Sequence, residues 1–297
     1  MIKVEKNIAG RPLKIESGQI ARQAGGSVMI SYGETSILAT VCCSNEPREG
    51  IDFLPMQVEY REKHYAGGKI PGGFFKREAK PTDAEVLTSR LTDRPIRPLI
   101  PKNYRHELQI MLTTMSYDKI NTPDVVAAIG ASAALLLSPV PFDGPIASVK
   151  VGLIDGEYVL NPTHEQMDSS DLDLMVTGKK DKICMIEGGS NFVPEKTILE
   201  ALDVAMEGIN NIVDLQMEFS EHFDNSYEVV ETKILTDDIE KSLDDTYSAK
   251  IEKIFDLDTK QARDDEYNAI EKEALEPFLE ERFKCFFFNR IIFIIPC

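Results

Sequence analysis

Residues 121–154 read NTPDVVAAIGASAALLLSPVPFDGPIASVKVGLI and indicate the fold class more clearly than any other stretch. Thr122 occupies a helix-capping position, and Pro123 follows at the first helical position, where the fixed φ and missing N–H of proline are tolerated. Residues 124–138 carry a single charge, that of Asp124. Because a helix that is apolar on all faces is buried, the sequence predicts a helix inside a core, followed by a strand over residues 146–154.

Short apolar runs before and after this stretch predict the rest of a sheet structure. The Gly33-Glu34 pair between two of these runs is typical of a hairpin turn. The other predicted strands cover residues 12–15, 28–32, 35–44, 157–160, 172–177 and 182–187. Pro194 then opens a helix that runs toward Glu218. Together these elements predict an α+β fold with mixed sheets packed against helices.

The strand pattern ends near residue 232, and residues 237–281 alternate charged and apolar residues at helical spacing. We therefore expect a core domain over residues 1–230, a small all-helical domain over residues 231–282 and a tail over residues 283–297. The tail, FKCFFFNRIIFIIPC, is shorter than the about 20 apolar residues that span a bilayer, so we expect no membrane association. We interpret its abrupt composition as a truncated or frameshifted reading frame.

The net charge of −17 is distributed very unevenly. Residues 1–150 contain 19 Lys and Arg against 16 Asp and Glu, which gives +3 and leaves −20 for residues 151–297. Residues 61–105 hold eleven basic and five acidic residues, a local +6 that favours phosphate binding, with a solvated mixed-charge surface as the alternative. The five cysteines form no CxxC pair, which indicates neither a zinc site nor a disulfide framework and favours a reducing, cytoplasmic compartment.

Within this basic stretch, the segment AGGKIPGGFFKREAKP at residues 66–81 predicts a loop suited to RNA. Its four glycines and its prolines favour a tight or mobile turn. The loop presents Phe74, Phe75, Lys76 and Arg77. Aromatic rings beside cations are typical of single-stranded RNA binding, because bases stack on the rings while the cations meet phosphates. The alternative is a pair of core phenylalanines flanked by surface charges.

A second basic cluster follows on a predicted helix, which begins with the capping-box pair Thr82 and Glu85. Its three arginines are Arg90, Arg94 and Arg97. The first two share one helical face because they are four residues apart, and the third lies in the exit turn. Converging guanidinium groups are suited to bidentate phosphate contacts. Alternatively, Asp93 and Glu85 neutralise them as ordinary ion pairs.

Two motifs of this region, GGFFKRE and TSRLTDRPIRPLIP, resemble the signature of the first core domain of bacterial polynucleotide phosphorylases. Three longer stretches resemble the same family: AGRPLKIESGQIARQAGGSVMISYGETSILATVC, NTPDVVAAIGASAALLLSPVPFDGPIASVKVG and LDLMVTGKKDKICMIEGG. The resemblance covers roughly residues 5–215. It implies an RNase PH-like core, a helical linker domain, a second RNase PH-like core, and KH and OB-fold modules, with three chains forming a ring around a channel.

The resemblance also implies an activity, that of a nucleotidyltransferase and phosphorolytic 3′-to-5′ exoribonuclease. Such an enzyme uses Mg²⁺ and inorganic phosphate to degrade single-stranded RNA to nucleoside diphosphates. Expected partners are RNA, further copies of the chain in a homotrimeric ring, and other members of an RNA-degradation complex. The family's catalytic and metal-binding residues belong to the second core, so none is expected here. The alternatives are a non-catalytic module for RNA binding and oligomerisation, and a non-functional product of an interrupted gene.

The residues that match the family's RNA-contacting positions are Phe74, Phe75, Lys76, Arg77, Lys80, Arg90, Arg94 and Arg97. The first four belong to the loop that narrows the channel around RNA. The other four match basic positions that the family uses for RNA or anion contacts and not for bond cleavage.

Three acids and one histidine complete the candidates. Asp171, Asp173 and Glu187 stand near the ends of predicted strands, where carboxylates can hold Mg²⁺. Because the family's first core is catalytically silent, we interpret them as solvated acids. We interpret His64 as structural or incidental, since the sequence shows no nucleophile or positioned acid beside it.

Overall fold

A computed structural model describes residues 2–48, 51, 53–72, 78, 80–223 and 237–279. The chain divides into two units, one of residues 1–45, 56–101 and 107–230, the other of residues 46–55, 102–106 and 231–297. The predicted domain boundaries after residues 230 and 282, and the tail over residues 283–297, lie outside the described residues.

The larger sheet has six strands: β1 Ile2–Ile8, β2 Arg11–Ser17, β3 Gly26–Tyr32, β4 Thr35–Pro47, β5 Met56–Glu62 and β6 His106–Ser116. Their order across the sheet is β1-β2-β3-β4-β6-β5. The pairs β1-β2, β2-β3 and β3-β4 are antiparallel, whereas β5 and β6 are parallel. The sheet is therefore mixed, as predicted, and β5 forms one of its edges.

The smaller sheet has four strands: β7 Ala147–Ile154, β8 Glu157–Leu160, β9 Leu172–Lys179 and β10 Lys182–Ser190. They follow the order β10-β9-β7-β8 and are antiparallel throughout. Strand β10 forms an edge, and Met185 is its only buried residue. All four strands were predicted from the sequence, whereas β1, β5 and β6 were missed.

Six α-helices accompany the sheets: α1 Asp83–Ile96, α2 Pro123–Leu136, α3 His164–Met167, α4 Glu195–Ser220, α5 Asp237–Glu252 and α6 Lys260–Leu279. Helix α2 is the predicted core helix, and twelve of its residues are buried. It contacts β3 of the larger sheet and β7 of the smaller one. A Cβ on Gly130 would lie 2.8 Å from Cγ2 of Ile30, so the absence of a side chain allows this close packing.

The described part of the second unit is largely helical, as predicted. Helices α5 and α6 enclose a small apolar cluster of Ile251, Ile254 and Ile270, flanked by Tyr247 and Tyr267. Among the helices within the described ranges, none combines the length and apolarity that crossing a bilayer requires. The mixed sheets and the helical C-terminal region confirm the predicted α+β fold.

Candidate nucleic-acid interface

Helix α1 carries the predicted arginine cluster and begins with the predicted capping box. Oγ1 of Thr82 accepts a hydrogen bond from the backbone N–H of Glu85 at 3.3 Å, and Oε2 of Glu85 accepts one from the N–H of Thr82 at 2.6 Å. Oε1 of Glu85 accepts a third bond, from the backbone N–H of Glu62 at 2.8 Å. Glu85 is thus buried and occupied by backbone donors, and it is not the ion-pair partner that the alternative interpretation required.

One stripe of α1 covers the free edge of β5. Glu85, Ser89, Asp93 and Arg97 recur every four residues and lie on one side of the helix. Oγ of Ser89 accepts a hydrogen bond from the backbone N–H of Tyr60 at 2.9 Å, and Nη2 of Arg97 donates to the carbonyl oxygen of Met56 at 3.1 Å. Since an edge strand exposes unpaired backbone groups, these side chains replace the missing neighbouring strand.

Arg97 is committed to this internal network. Its Nη2 lies 2.6 Å from Oδ1 of Asp93 and its Nε lies 3.0 Å from Oδ2, which makes a bidentate ion pair. The pairing of Arg97 with Asp93 is the arrangement that the ion-pair alternative described. RNA contact by Arg97 stays a prediction.

Arg90 and Arg94 face away from this stripe and are exposed. Nη1 of Arg94 lies 2.9 Å from Oε2 of Glu187, and the two side chains are 66% and 53% exposed. Such surface pairs contribute only about 0–1 kcal/mol, so solvent and ligands compete with them readily. Arg90 makes no hydrogen bond or ion pair with any residue in the described ranges.

An open pocket of about 490 Å³ lies between α1 and β5. Its charged lining residues are Glu59, Arg61, Arg90, Asp93 and Arg97. Arg97 is neutralised by Asp93, and Glu59 accepts a hydrogen bond from Gln57 at 2.7 Å. Within the described part of the chain, Arg61 and Arg90 have no acidic partner. The pocket therefore presents two guanidinium groups that can bind phosphate in a bidentate manner.

Sequence reasoning did not single out Arg61, although it is the first basic residue of the +6 stretch. Lys80, which was singled out, is exposed just before α1. Phe74, Phe75, Lys76 and Arg77 lie outside the described residues. The structure therefore places Arg61 beside Arg90, with Arg94 on the same exposed side of α1, and separates Arg97 from them.

The three candidate metal ligands have other partners or lie apart. Glu187 is paired with Arg94, and Oδ1 of Asp171 accepts a hydrogen bond from Nδ2 of Asn191 at 3.2 Å. Asp173 lies on β9 opposite Gly189. Over the described ranges, no three His, Cys, Asp or Glu side chains cluster closely enough to hold a metal ion. These acids do not fit a Mg²⁺ site, and no chemical step is derived through Mg²⁺ in this chain.

Comparison with known proteins gives a consistent family. Residues 9–141 match domain 1 of the 3′ exoribonuclease (RNase PH) family, and residues 144–208 match domain 2. The chain is 50% identical over 241 residues to the polyribonucleotide nucleotidyltransferase of Syntrophomonas wolfei, which is 81% of this chain and 34% of that protein. It is 52% identical over 213 residues to that of Maricaulis maris, which is 72% of this chain and 30% of that protein.

A solved structure, that of rice Rrp46, has the same fold. It superposes with a TM-score of 0.59 at 14% identity and covers 72% of this chain and 98% of its own. The chain spans about a third of the length of the curated relatives that it matches. The two domain matches and the relatives confirm the resemblance seen in the motifs. This chain belongs to the 3′ exoribonuclease family, within which its similar relatives are polyribonucleotide nucleotidyltransferases.

Proposed function

We propose that this chain is the first RNase PH-like core of a polyribonucleotide nucleotidyltransferase, with residues 1–230 as the core and residues 231–282 as part of a helical linker domain. The observation that carries this proposal is the 50% identity over 241 residues to a protein of that name. The intact enzyme would degrade single-stranded RNA from its 3′ end. Its role in the cell would be RNA turnover, in the cytoplasm.

The reaction is phosphorolysis. An oxygen of inorganic phosphate attacks the phosphorus of the last phosphodiester, and the bond from that phosphorus to the 3′ oxygen of the preceding nucleotide breaks. The terminal nucleotide leaves as a nucleoside diphosphate, and the shortened RNA regains its 3′ hydroxyl after protonation. We assign the phosphate and Mg²⁺ sites to a part of the enzyme beyond this chain.

This chain would contribute RNA threading. The proposed contacts are Phe74, Phe75, Lys76, Arg77, Lys80, Arg90, Arg94 and Arg97, to which the pocket adds Arg61. The lack of an acidic partner for Arg61 and Arg90 among the described residues, and the exposed pairing of Arg94, support phosphate contacts along α1. For Arg97 the support is weaker, because its bond to Asp93 would have to break.

We also propose that further copies of the chain assemble with it into a ring around the RNA, a homotrimer in the intact enzyme, and that other proteins of RNA degradation associate with it. The chain's span of about a third of its relatives' length favours a second candidate, a fragment that binds RNA and oligomerises without catalysis.

Replacing Phe75 tests the RNA-threading role. If Phe75 stacks on bases, Phe75→Ala weakens binding of a mixed-sequence single-stranded RNA by about 1 to 3 kcal/mol and leaves the melting temperature unchanged. If Phe75 is a core residue, the same change lowers stability by about 3 to 5 kcal/mol. Fluorescence anisotropy and thermal melting separate the two. A variant that melts much lower but binds RNA normally when folded contradicts the role.

A further inference from the structure

The base of the glycine-rich loop is built from well-ordered hydrogen bonds. The chain enters the loop through a single 3₁₀ turn, His64–Gly67. Gly68 closes the turn in the left-handed region at φ 68°, and its N–H donates to the carbonyl oxygen of Tyr65 at 3.0 Å. The N–H of Lys69 donates to the carbonyl oxygen of His64 at 2.8 Å. The entering end of the loop therefore has a defined conformation.

This turn is also fastened to the larger sheet. The backbone N–H of Tyr117, just beyond the end of β6, donates to the carbonyl oxygen of Ala66 at 3.0 Å. The hydroxyl of Tyr65 donates to Sδ of Met115 at 3.5 Å. One end of the loop is thus held at a fixed place relative to β6.

The returning end is held by a single carboxylate. Oε1 of Glu78 accepts hydrogen bonds from the backbone N–H of His64 at 2.6 Å and from Nδ1 of its ring at 2.7 Å. Oε2 lies 3.3 Å from Nζ of Lys63. The backbone and ring donors of His64, with Lys63, lower the pKa of Glu78 to about 2. The carboxylate is therefore ionised at neutral pH, and its bonds to His64 are charge-assisted.

We propose that Glu78 is a positioning residue for RNA binding, because it fastens the returning end of the loop to His64 and so fixes both ends on the same 3₁₀ turn. This role rests on the proposed RNA-threading function. The bond joins residues 14 apart in sequence and closes the loop that carries Lys76 and Arg77. Without it, the loop would have to be ordered when RNA binds, and that entropic cost would weaken binding.

The sign of the effect separates this role from simple electrostatics. Glu78 is a negative charge beside a basic segment, so removing the charge should strengthen RNA binding if only the local field matters. The positioning role predicts the opposite sign. Asp83 provides a matched control, because it is an exposed acid in the first turn of α1 that forms no hydrogen bond or ion pair within the described ranges.

The test compares Glu78→Ala, Glu78→Gln, His64→Ala and Asp83→Asn for single-stranded RNA affinity, melting temperature and hydrogen exchange of the His64 amide. We expect about tenfold weaker RNA binding for Glu78→Ala, the effect of one charged hydrogen bond. Glu78→Gln, which keeps an acceptor oxygen, should recover part of the loss. His64→Ala should weaken binding too, whereas Asp83→Asn should bind RNA equally or slightly more tightly. The His64 amide should exchange faster in Glu78→Ala alone among the Glu78 and Asp83 variants.

The outcomes distinguish this inference from the function on which it rests. If the unmodified chain binds no RNA, both fail. If it binds RNA and the two Glu78 variants bind equally or more tightly, only the positioning role is overturned. Should Glu78→Ala melt at a much lower temperature, Glu78→Gln decides, and unchanged RNA affinity in that folded variant would reject the assignment.

Discussion

Nη1 of Arg94 lies 2.9 Å from Oε2 of Glu187, an exposed ion pair that joins α1 to the edge strand β10. If Arg94 contacts RNA, the phosphate competes with this carboxylate. Glu187→Gln should therefore strengthen RNA binding by up to about fivefold, since an exposed pair contributes about 0–1 kcal/mol. The matched control is Asp214→Asn, which breaks a similarly exposed pair with Lys180 at 2.7 Å away from α1. Equal effects of the two substitutions would remove Arg94 from the RNA surface.

Replacing Arg90 and Arg94 together by Ala should weaken RNA binding and flatten its dependence on salt. Each lost phosphate contact releases fewer counterions and lowers the log-log slope by about 0.7 for single strands. Anisotropy titrations at several salt concentrations measure that slope. Arg97→Ala serves as the comparison, because Arg97 is bound to Asp93 and Met56 and its loss should lower the melting temperature and leave the slope unchanged. An unchanged slope in the double variant would mean that neither arginine touches phosphate.

Ser89→Ala should lower the free energy of unfolding by about 1 to 3 kcal/mol, because it leaves the buried N–H of Tyr60 without an acceptor at the edge of β5. Thr88→Ala, one position earlier and outside the stripe that faces β5, should cost less. Urea denaturation of both variants measures the difference. Equal stability of the two would show that the serine does not replace a neighbouring strand.

The two glycines at the loop entrance should respond differently to alanine. A Cβ on Gly67 or on Gly68 would meet no atom within 4 Å, but only Gly68 has a positive φ, of 68°. Because an L side chain in the left-handed region costs about 1–2 kcal/mol, Gly68→Ala should destabilise the turn, and Gly67→Ala should not. Thermal melting and hydrogen exchange of the Lys69 amide report the effect. Similar exchange in both variants would contradict the turn geometry.

Elements that depend on local chemistry were predictable from the sequence. The uncharged run after Pro123 predicted α2, the Thr82 and Glu85 spacing predicted the capping box, and the Gly33 turn predicted the β3-β4 hairpin. In the structure Gly33 has a φ of 60°, which glycine adopts without strain. These features follow from residues close in sequence, and tertiary packing did not override them.

Other features needed the folded chain, or a pattern that was overlooked. Strand β6 alternates buried residues, His106, Leu108, Ile110, Leu112 and Thr114, with more exposed ones, and that alternation is visible in the sequence. The four-residue spacing of Ser89, Asp93 and Arg97 was also visible, but that the stripe faces an edge strand was not. The pairing of Arg94 with Glu187 joins residues 93 apart, and only the packing of α1 near β10 creates it.

The central claim is that this chain binds RNA without performing the chemistry. The most direct measurement incubates the purified 297-residue chain with Mg²⁺, inorganic phosphate and a labelled single-stranded RNA, and follows both binding and released nucleotides. We predict salt-dependent RNA binding and no nucleoside diphosphate above the level seen without protein. Robust phosphate-dependent release of nucleoside diphosphates would contradict the claim, and Asp171, Asp173 and Glu187 would then be the first residues to replace.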